Sequence, residues 1–174
     1  MSPPERIVRT GRIAALVVSV ILGAQTPPAR ASDRGTIYDT LAANEQTAIL
    51  AVAAKETGLT AILKGKDEYT LFAPTDAAFL KLDDDGIGAV ARNEQVVQKL
   101  LRSHLVKGKH TTAALKKKAQ AGESLTTVGG ERLKIEERKD GLYVGGVKLE
   151  PDAADLGCSN GVIHLLGTLQ TVPK

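Results

Sequence analysis

A single cysteine, Cys158, stands in a chain of 174 residues, so no internal disulfide can staple the fold and burial of apolar side chains must hold it together. Free cysteine is among the most buried residue types, which makes a small core hydrophobe the first reading of Cys158; an intermolecular bridge and a reactive thiol stay open beside it. The apolar residues are ordered along the chain. From Ser32 to about Ser103 their spacing is mostly helical, and from His104 onward it is mostly extended, an order that predicts an α+β domain.

Thr36 and Asp39 have capping-box-like spacing ahead of a short helix over 37–43, and Asn44 can cap the next. There Ile49, Val52 and Ala53 recur at helical spacing, Thr57-Gly58 offers a stop, and Leu59, Ile62 and Leu63 continue as another short helix. YTLFA (69–73) reads as a buried strand ended by Pro74, after which Thr75 can cap a helix over 76–82 that buries Phe79 and Leu82. Val96, Val97, Leu100 and Leu101 form the clearest amphipathic stripe, over 93–103. His104 falls four residues after Leu100 and so points toward the core. Leu133 and Ile135, Leu142 and Val144, and Val147 and Leu149 alternate with polar neighbours, as short antiparallel strands do. Gly129-Gly130, Asp140-Gly141 and Gly145-Gly146 supply the tight connections between them. The run 162–166 is apolar except for His164, as a central strand would be.

Residues 1–31 read as a signal peptide. Arg6, Arg9 and Arg12 make a basic start, 13–24 (IAALVVSVILGA) is apolar apart from Ser19, and Ala29 and Ala31 flank an A-x-A cleavage site. The apolar run is short of the roughly 20 residues a membrane helix needs. No cysteine near the site supports lipoprotein attachment. The mature chain would be one domain over 32–174, secreted or periplasmic, with no transmembrane segment. Cleavage removes four arginines and one glutamate, leaving nineteen basic and nineteen acidic residues. The excess of positive charge therefore belongs to the leader. With no Trp and few aromatic residues, the domain lacks both the basic excess and the stacking platform of a nucleic-acid binder.

Patterns that carry chemistry elsewhere fail here on context. Gly157-Cys158-Ser159-Asn160-Gly161 matches G-x-S-x-G, but a nucleophile elbow leads from a strand into a helix and needs an acid and then a histidine downstream. VIHLL follows instead, and no Asp or Glu lies beyond Asp155. Asp83-Asp84-Asp85-Gly86 resembles a calcium loop, yet alignment on the glycine puts Lys81 and Arg92 where acids belong. Gly86, Gly88 and Ala91 follow no predicted strand, so they cradle no phosphate. His104, His110, His164 and Cys158 lack metal-ligand spacing, although folding could bring His104 and His164 together. Lys116, Lys117 and Lys118 read as a solvated helix face near Leu115. No catalytic, metal or cofactor residue is expected, and the chain reads as a non-enzyme.

Two stretches together carry a family resemblance. Thr70, Leu71, Phe72, Ala73, Pro74, Thr75 and Asp76, leading to Phe79, spell TLFAPTDAAF; Ser159, Asn160, Gly161, Val162, Ile163, His164 and Leu165 spell SNGVIHL, followed by Leu169 and Pro173. They resemble the first and closing boxes of fasciclin domains. His104-Leu105-Val106 with Gly108 and Lys109 is similar to the family's central His motif, and the likeness runs from about Thr36 to Pro173. It implies a β-wedge or sandwich with several short helices packed along it and no cofactor. It also implies cell adhesion or interaction with an extracellular or envelope protein, as a monomer or weak homodimer. The alternative it implies is a carrier of a small apolar ligand such as a lipid or carotenoid. The boxes have physical uses of their own, since Pro74 and Thr75 join strand to helix and Asn160-Gly161 turns the chain into its last strand, so they read as fold determinants. Two departures stand out. Ser103 replaces the tyrosine that precedes the histidine in many animal members and is linked to integrin recognition, so integrin binding is not carried over. Leu166-Gly167 replaces an Ile-Asp pair, which removes a carboxylate.

Overall fold

The computed structural model describes residues 34–81 and 94–169. The expected signal peptide, the acidic turn at 83–86, the glycine pattern at 86–91 and Pro173 lie outside the described residues.

Thr36 and Asp39 close a reciprocal capping box: the Thr36 hydroxyl accepts from the Asp39 amide (3.3 Å) and the Asp39 carboxylate accepts from the Thr36 amide (3.0 Å). This starts α1, Ile37–Ala43. Asn44 caps a single 3-10 turn, Glu45–Thr47, by accepting from the Gln46 amide, and α2, Ala48–Glu56, and α3, Thr60–Leu63, follow. The buried side of α2 differs from the expected stripe: Leu50, Ala51 and Ala54 are buried, while Ile49 is 38% and Val52 61% exposed. The run AILAVAA offers no polar side to phase a helix, so spacing alone leaves its rotation undetermined. Strand β1, Tyr69–Pro74, ends at its proline. Helix α4, Asp76–Phe79, is one turn long and stops short of the expected 76–82; Leu80 is exposed and Leu82 lies outside the described residues. Helix α5, Glu94–Ser103, buries Val97 and Leu101, whereas Val96 is 39% exposed.

After β2, Leu105–Lys107, comes α6, Thr112–Gln120, capped by the Thr111 hydroxyl and anchored by the buried Leu115. Four antiparallel strands follow: β3, Ser124–Thr126; β4, Arg132–Arg138; β5, Gly141–Val144; and β6, Val147–Lys148. Gly145 and Gly146 both have positive φ (59° and 83°), as a tight two-residue hairpin between β5 and β6 requires. Strands β7, Leu156–Cys158, and β8, Gly161–Leu166, complete the fold.

The protein is α+β. One sheet has the order β2-β1-β8-β7 and the other β3-β4-β5-β6. All pairings are antiparallel except that of β1 with β8, which runs in register from Tyr69 opposite Gly161 to Pro74 opposite Leu166. Single bridges from Val106 to Thr127 and from Leu149 to Leu166 tie the two sheets together. Alternate residues of β1 and β8 serve two cores. Leu71, Ala73, Ile163 and Leu165 meet the side chains of α1 to α5, while Phe72 and Leu166 meet Leu115 of α6 and Leu133, Ile135, Leu142 and Val144 of the second sheet. The first sheet is thus a septum between a helical layer and the second sheet, buried on both faces as a parallel pair demands.

Candidate functional site: the junction of the three sequence boxes

The first and closing boxes become adjacent strands, and the central histidine sits beside them. Thr70, Leu71, Phe72, Ala73 and Pro74 are buried on β1, and Gly161, Val162, Ile163 and His164 are buried opposite them on β8. The Phe72 ring stacks on the His164 imidazole, centroids 5.5 Å apart at 20°. Gly161 is required by close approach: a Cβ there would overlap the Tyr69 carbonyl oxygen.

Thr75 makes no side-chain cap to α4, contrary to the reading of the sequence; its backbone amide donates to the Leu166 carbonyl (3.0 Å). Its neighbour Asp76 acts at a distance, accepting from the Ile49 amide (3.0 Å) at the start of α2, where Thr47 provides no side-chain cap. A carboxylate there also suits the positive end of the helix dipole. Phe79 packs into the helical core.

Asn160 does more than turn the chain. The β7–β8 hairpin turns through Ser159-Asn160, with Cys158 opposite Gly161, and the buried Asn160 amide satisfies three backbone groups from distant segments. Its oxygen accepts from the Ile37 amide (2.8 Å), and its nitrogen donates to the carbonyls of Leu63 and Gly65 (both 2.9 Å). One side chain therefore binds the start of α1 and the end of α3 to the sheet.

His104 and His164 are both buried but do not meet in a shared site. His104 Nδ1 donates to the Leu100 carbonyl (2.7 Å), which also accepts from the Ser103 hydroxyl (2.7 Å). The His104 carbonyl accepts from the Phe72 amide, tying α5 to β1. Burial pulls the His104 pKa down to about 4, outweighing the hydrogen bond to Leu100. Ser103, in the place of the tyrosine, is buried.

His164 lies in a separate chain of hydrogen bonds. Its Nδ1 accepts from the Asp155 amide (3.2 Å), which leaves Nε2–H to donate to the His110 carbonyl (2.8 Å). The His110 amide donates to the Thr70 hydroxyl (2.8 Å), and that hydroxyl donates to the Gly108 carbonyl (2.7 Å). Burial lowers the His164 pKa and keeps the ring neutral. Asp155 was not singled out by pattern. It has φ of 59°, a left-handed conformation that Asp tolerates better than most residues, and its carboxylate accepts from the Thr112 amide at the start of α6 (2.7 Å). Its position just ahead of the Leu156-Gly157 strand start was the one available signal.

Ser159 sits in a strand-turn-strand hairpin, exposed, and not in a strand-helix elbow. Cys158 is buried, its thiol donating to the Thr40 hydroxyl (3.3 Å), and burial raises its pKa, which keeps it a thiol. Among the described residues no group of three or more His, Cys, Asp or Glu could hold a metal ion, and no helix is long and apolar enough to cross a membrane.

The family model of the fasciclin domain matches residues 45–169. This chain belongs to the fasciclin domain family. Its fasciclin domain is similar to Protein sll1483 of Synechocystis sp., 32% identical over 133 residues that cover 75% of this chain and 70% of that protein. It is also similar to the cell surface glycolipoprotein MPB83 of Mycobacterium bovis, 27% identical over 86% of this chain and 62% of that one. In fold it resembles a FAS1 domain pair from the insect cell adhesion molecule fasciclin I, with a TM-score of 0.67 at 19% identity, covering 79% of this chain and 51% of that chain. Where this fasciclin domain has Gly167 in place of an acid, the Glu150 carboxylate fills the room: a Cβ at Gly167 would lie 2.5 Å from Glu150 Oε1.

Proposed function

We propose that this protein is exported to the periplasm or beyond the cell and acts there as a non-enzymatic interaction module, binding an envelope or extracellular protein through its surface. The observation that carries this reading is the burial of the boxes. Thr70, His104, Asn160 and His164 spend their polar atoms on backbone partners inside the fold, so the residues that mark the family serve the scaffold and leave recognition to the exposed faces. Similarity to a cell surface glycolipoprotein and to a cell adhesion molecule agrees with that division. Three surface clefts carry several charged side chains in their walls, a lining suited to contact with a polar partner surface.

The test is a pull-down with the tagged mature domain from envelope and culture-medium fractions of the native host, combined with N-terminal sequencing of the protein recovered there. Retention of a defined protein partner, and a chain beginning at Ser32, are expected. A chain recovered intact from the cytoplasm, or no macromolecule retained from either fraction, overturns the reading.

A further inference from the structure

The neutrality of the expected mature chain conceals a separation of charge. From Leu105 to Leu149, the segment that builds β2, α6 and the second sheet, the chain carries ten Lys and Arg against five Asp and Glu; the remainder of residues 32–174 carries nine against fourteen. The basic portion is therefore an electrostatically distinct pole, to which the argument from net charge does not apply.

A cleft of about 430 Å³ opens in this pole, between the first turn of α6, the β4–β5 turn and the segment after β6. That is the size of a site for a ligand of one or two rings. Lys116, Arg138, Lys139 and Lys148 supply cations to its wall, and Glu137, Asp140 and Asp155 supply carboxylates. Lys116 pairs with Glu137 at 3.8 Å and Lys148 with Asp140 at 3.3 Å, with these side chains 39–57% exposed; Lys139 has no acidic partner among the described residues. Such exposed pairs are worth at most about 1 kcal/mol, so a ligand can exchange with them at little cost.

The ligand must bring negative charge for the lysines and, at the same time, hydroxyl donors for the three carboxylates. A bare polyphosphate meets the first need and is repelled by the carboxylates; a lipid chain meets neither. A sugar acid meets both, and Leu142, Leu149 and Pro151 give the C–H face of its ring an apolar rest. We infer that this cleft binds the uronic-acid unit of an anionic polysaccharide, the sugar carboxylate lying against Lys139 and Lys148 and ring hydroxyls donating to the facing carboxylates. The assignment does not depend on the protein partner proposed above.

The experiment is calorimetric titration of the mature domain with a short polyuronate oligomer, with a neutral glucose oligomer of equal length as the control. Uronate binding that weakens as salt is raised, with no uptake of the neutral oligomer, is expected. The Lys139→Glu, Lys148→Glu double variant should lower the affinity about tenfold or more, while Lys64→Glu, remote from the cleft, leaves it unchanged. If the double variant fails to fold, Lys139→Ala in its exposed turn replaces it, with a smaller loss expected. Equal affinity for both oligomers, no uronate binding at low salt, or a wild-type affinity in the lysine variant would each refute the assignment. So would capture by anionic phospholipid vesicles without binding of the oligomer.

Discussion

The two sheets are built to opposite rules. In the first, every residue of β8 is buried, and β1 is buried from Thr70 to Pro74. In the second, β4 alternates: Leu133 and Ile135 point inward while Arg132, Lys134 and Arg138 face water. The first depends on a parallel pair whose facing residues stand 92 positions apart in the chain (Tyr69 opposite Gly161), the second on consecutive hairpins. Polar side chains differ in the same sense. Those in and beside the first sheet hold backbone groups in the dark, and those on the second form exposed clusters such as Lys134–Glu136–Arg138, with Arg138 lying 4.0 Å above the Tyr143 ring. Similar hydrogen-bond lengths therefore carry unlike energetic weight, because a buried group that loses its partner forfeits its solvation and an exposed one regains it.

The severest way to break this contrast is Gly161→Ala. Its methyl group would collide with the Tyr69 carbonyl where the β1–β8 pairing begins, and a loss on the order of 5 kcal/mol, read as failure to fold or a collapse of the denaturant midpoint, is expected. A soluble variant with a midpoint near wild type would show that the β1–β8 pairing is looser than described.

Acid gives the next largest effect. In the unfolded chain a histidine titrates near 6.5, whereas the buried His104 resists protonation down to about pH 4. Between those values the unfolded state binds more protons, so stability is fully present above about pH 6.5 and falls as pH drops toward 4, by about 3 kcal/mol from His104. His164 shifts the same way and adds to the loss. Chemical denaturation at a series of pH values measures the slope, and His104→Ala should lower the melting temperature at neutral pH while flattening the acid limb. A melting temperature untouched by that substitution counts against the burial argument.

Asn160→Ala strands the Ile37 amide and two carbonyls, and about 2 to 3 kcal/mol should be lost in urea unfolding. At the other extreme stands Glu136→Gln on the second sheet. Lys134 and Arg138 hold the Glu136 carboxyl down at about 2, yet the cluster is open to solvent and salt, so the melting temperature should stay within error of wild type. A fall comparable to that of Asn160→Ala would erase the distinction between the two regions.

Much of this architecture was legible in the amino-acid order. The capping box at Thr36 and Asp39, the apolar strand runs ending in Pro74 and spanning Val162 to Leu166, and the inward position of His104 all follow from local periodicity and cap chemistry. Among the features that did not follow, the reasons differ. The rotation of α2 escaped because its first seven residues, AILAVAA, are apolar all round. The roles of Asp76 and Asn160 escaped because both look like local cap and turn residues, while their hydrogen bonds reach backbone 27 and up to 123 positions away. Asp155 escaped because left-handed backbone at an aspartate is permitted by sequence and selected only by what surrounds it, here His164 and the Thr112 amide. The charge separation was countable from the start, but its meaning depended on the fold gathering residues 105–149 largely on one side of the septum.

The parallel register of Tyr69 with Gly161 also sets an order of events. Hairpins of the second sheet can close as soon as their few residues exist, whereas the septum cannot close until the last strand arrives from the far end of the domain, after the largest loop-closure entropy has been met. Up to that moment Leu71, Phe72 and Ala73 have no strand on one side. The wall shared by the helical layer and the second sheet is thus the last part of the fold that can be completed.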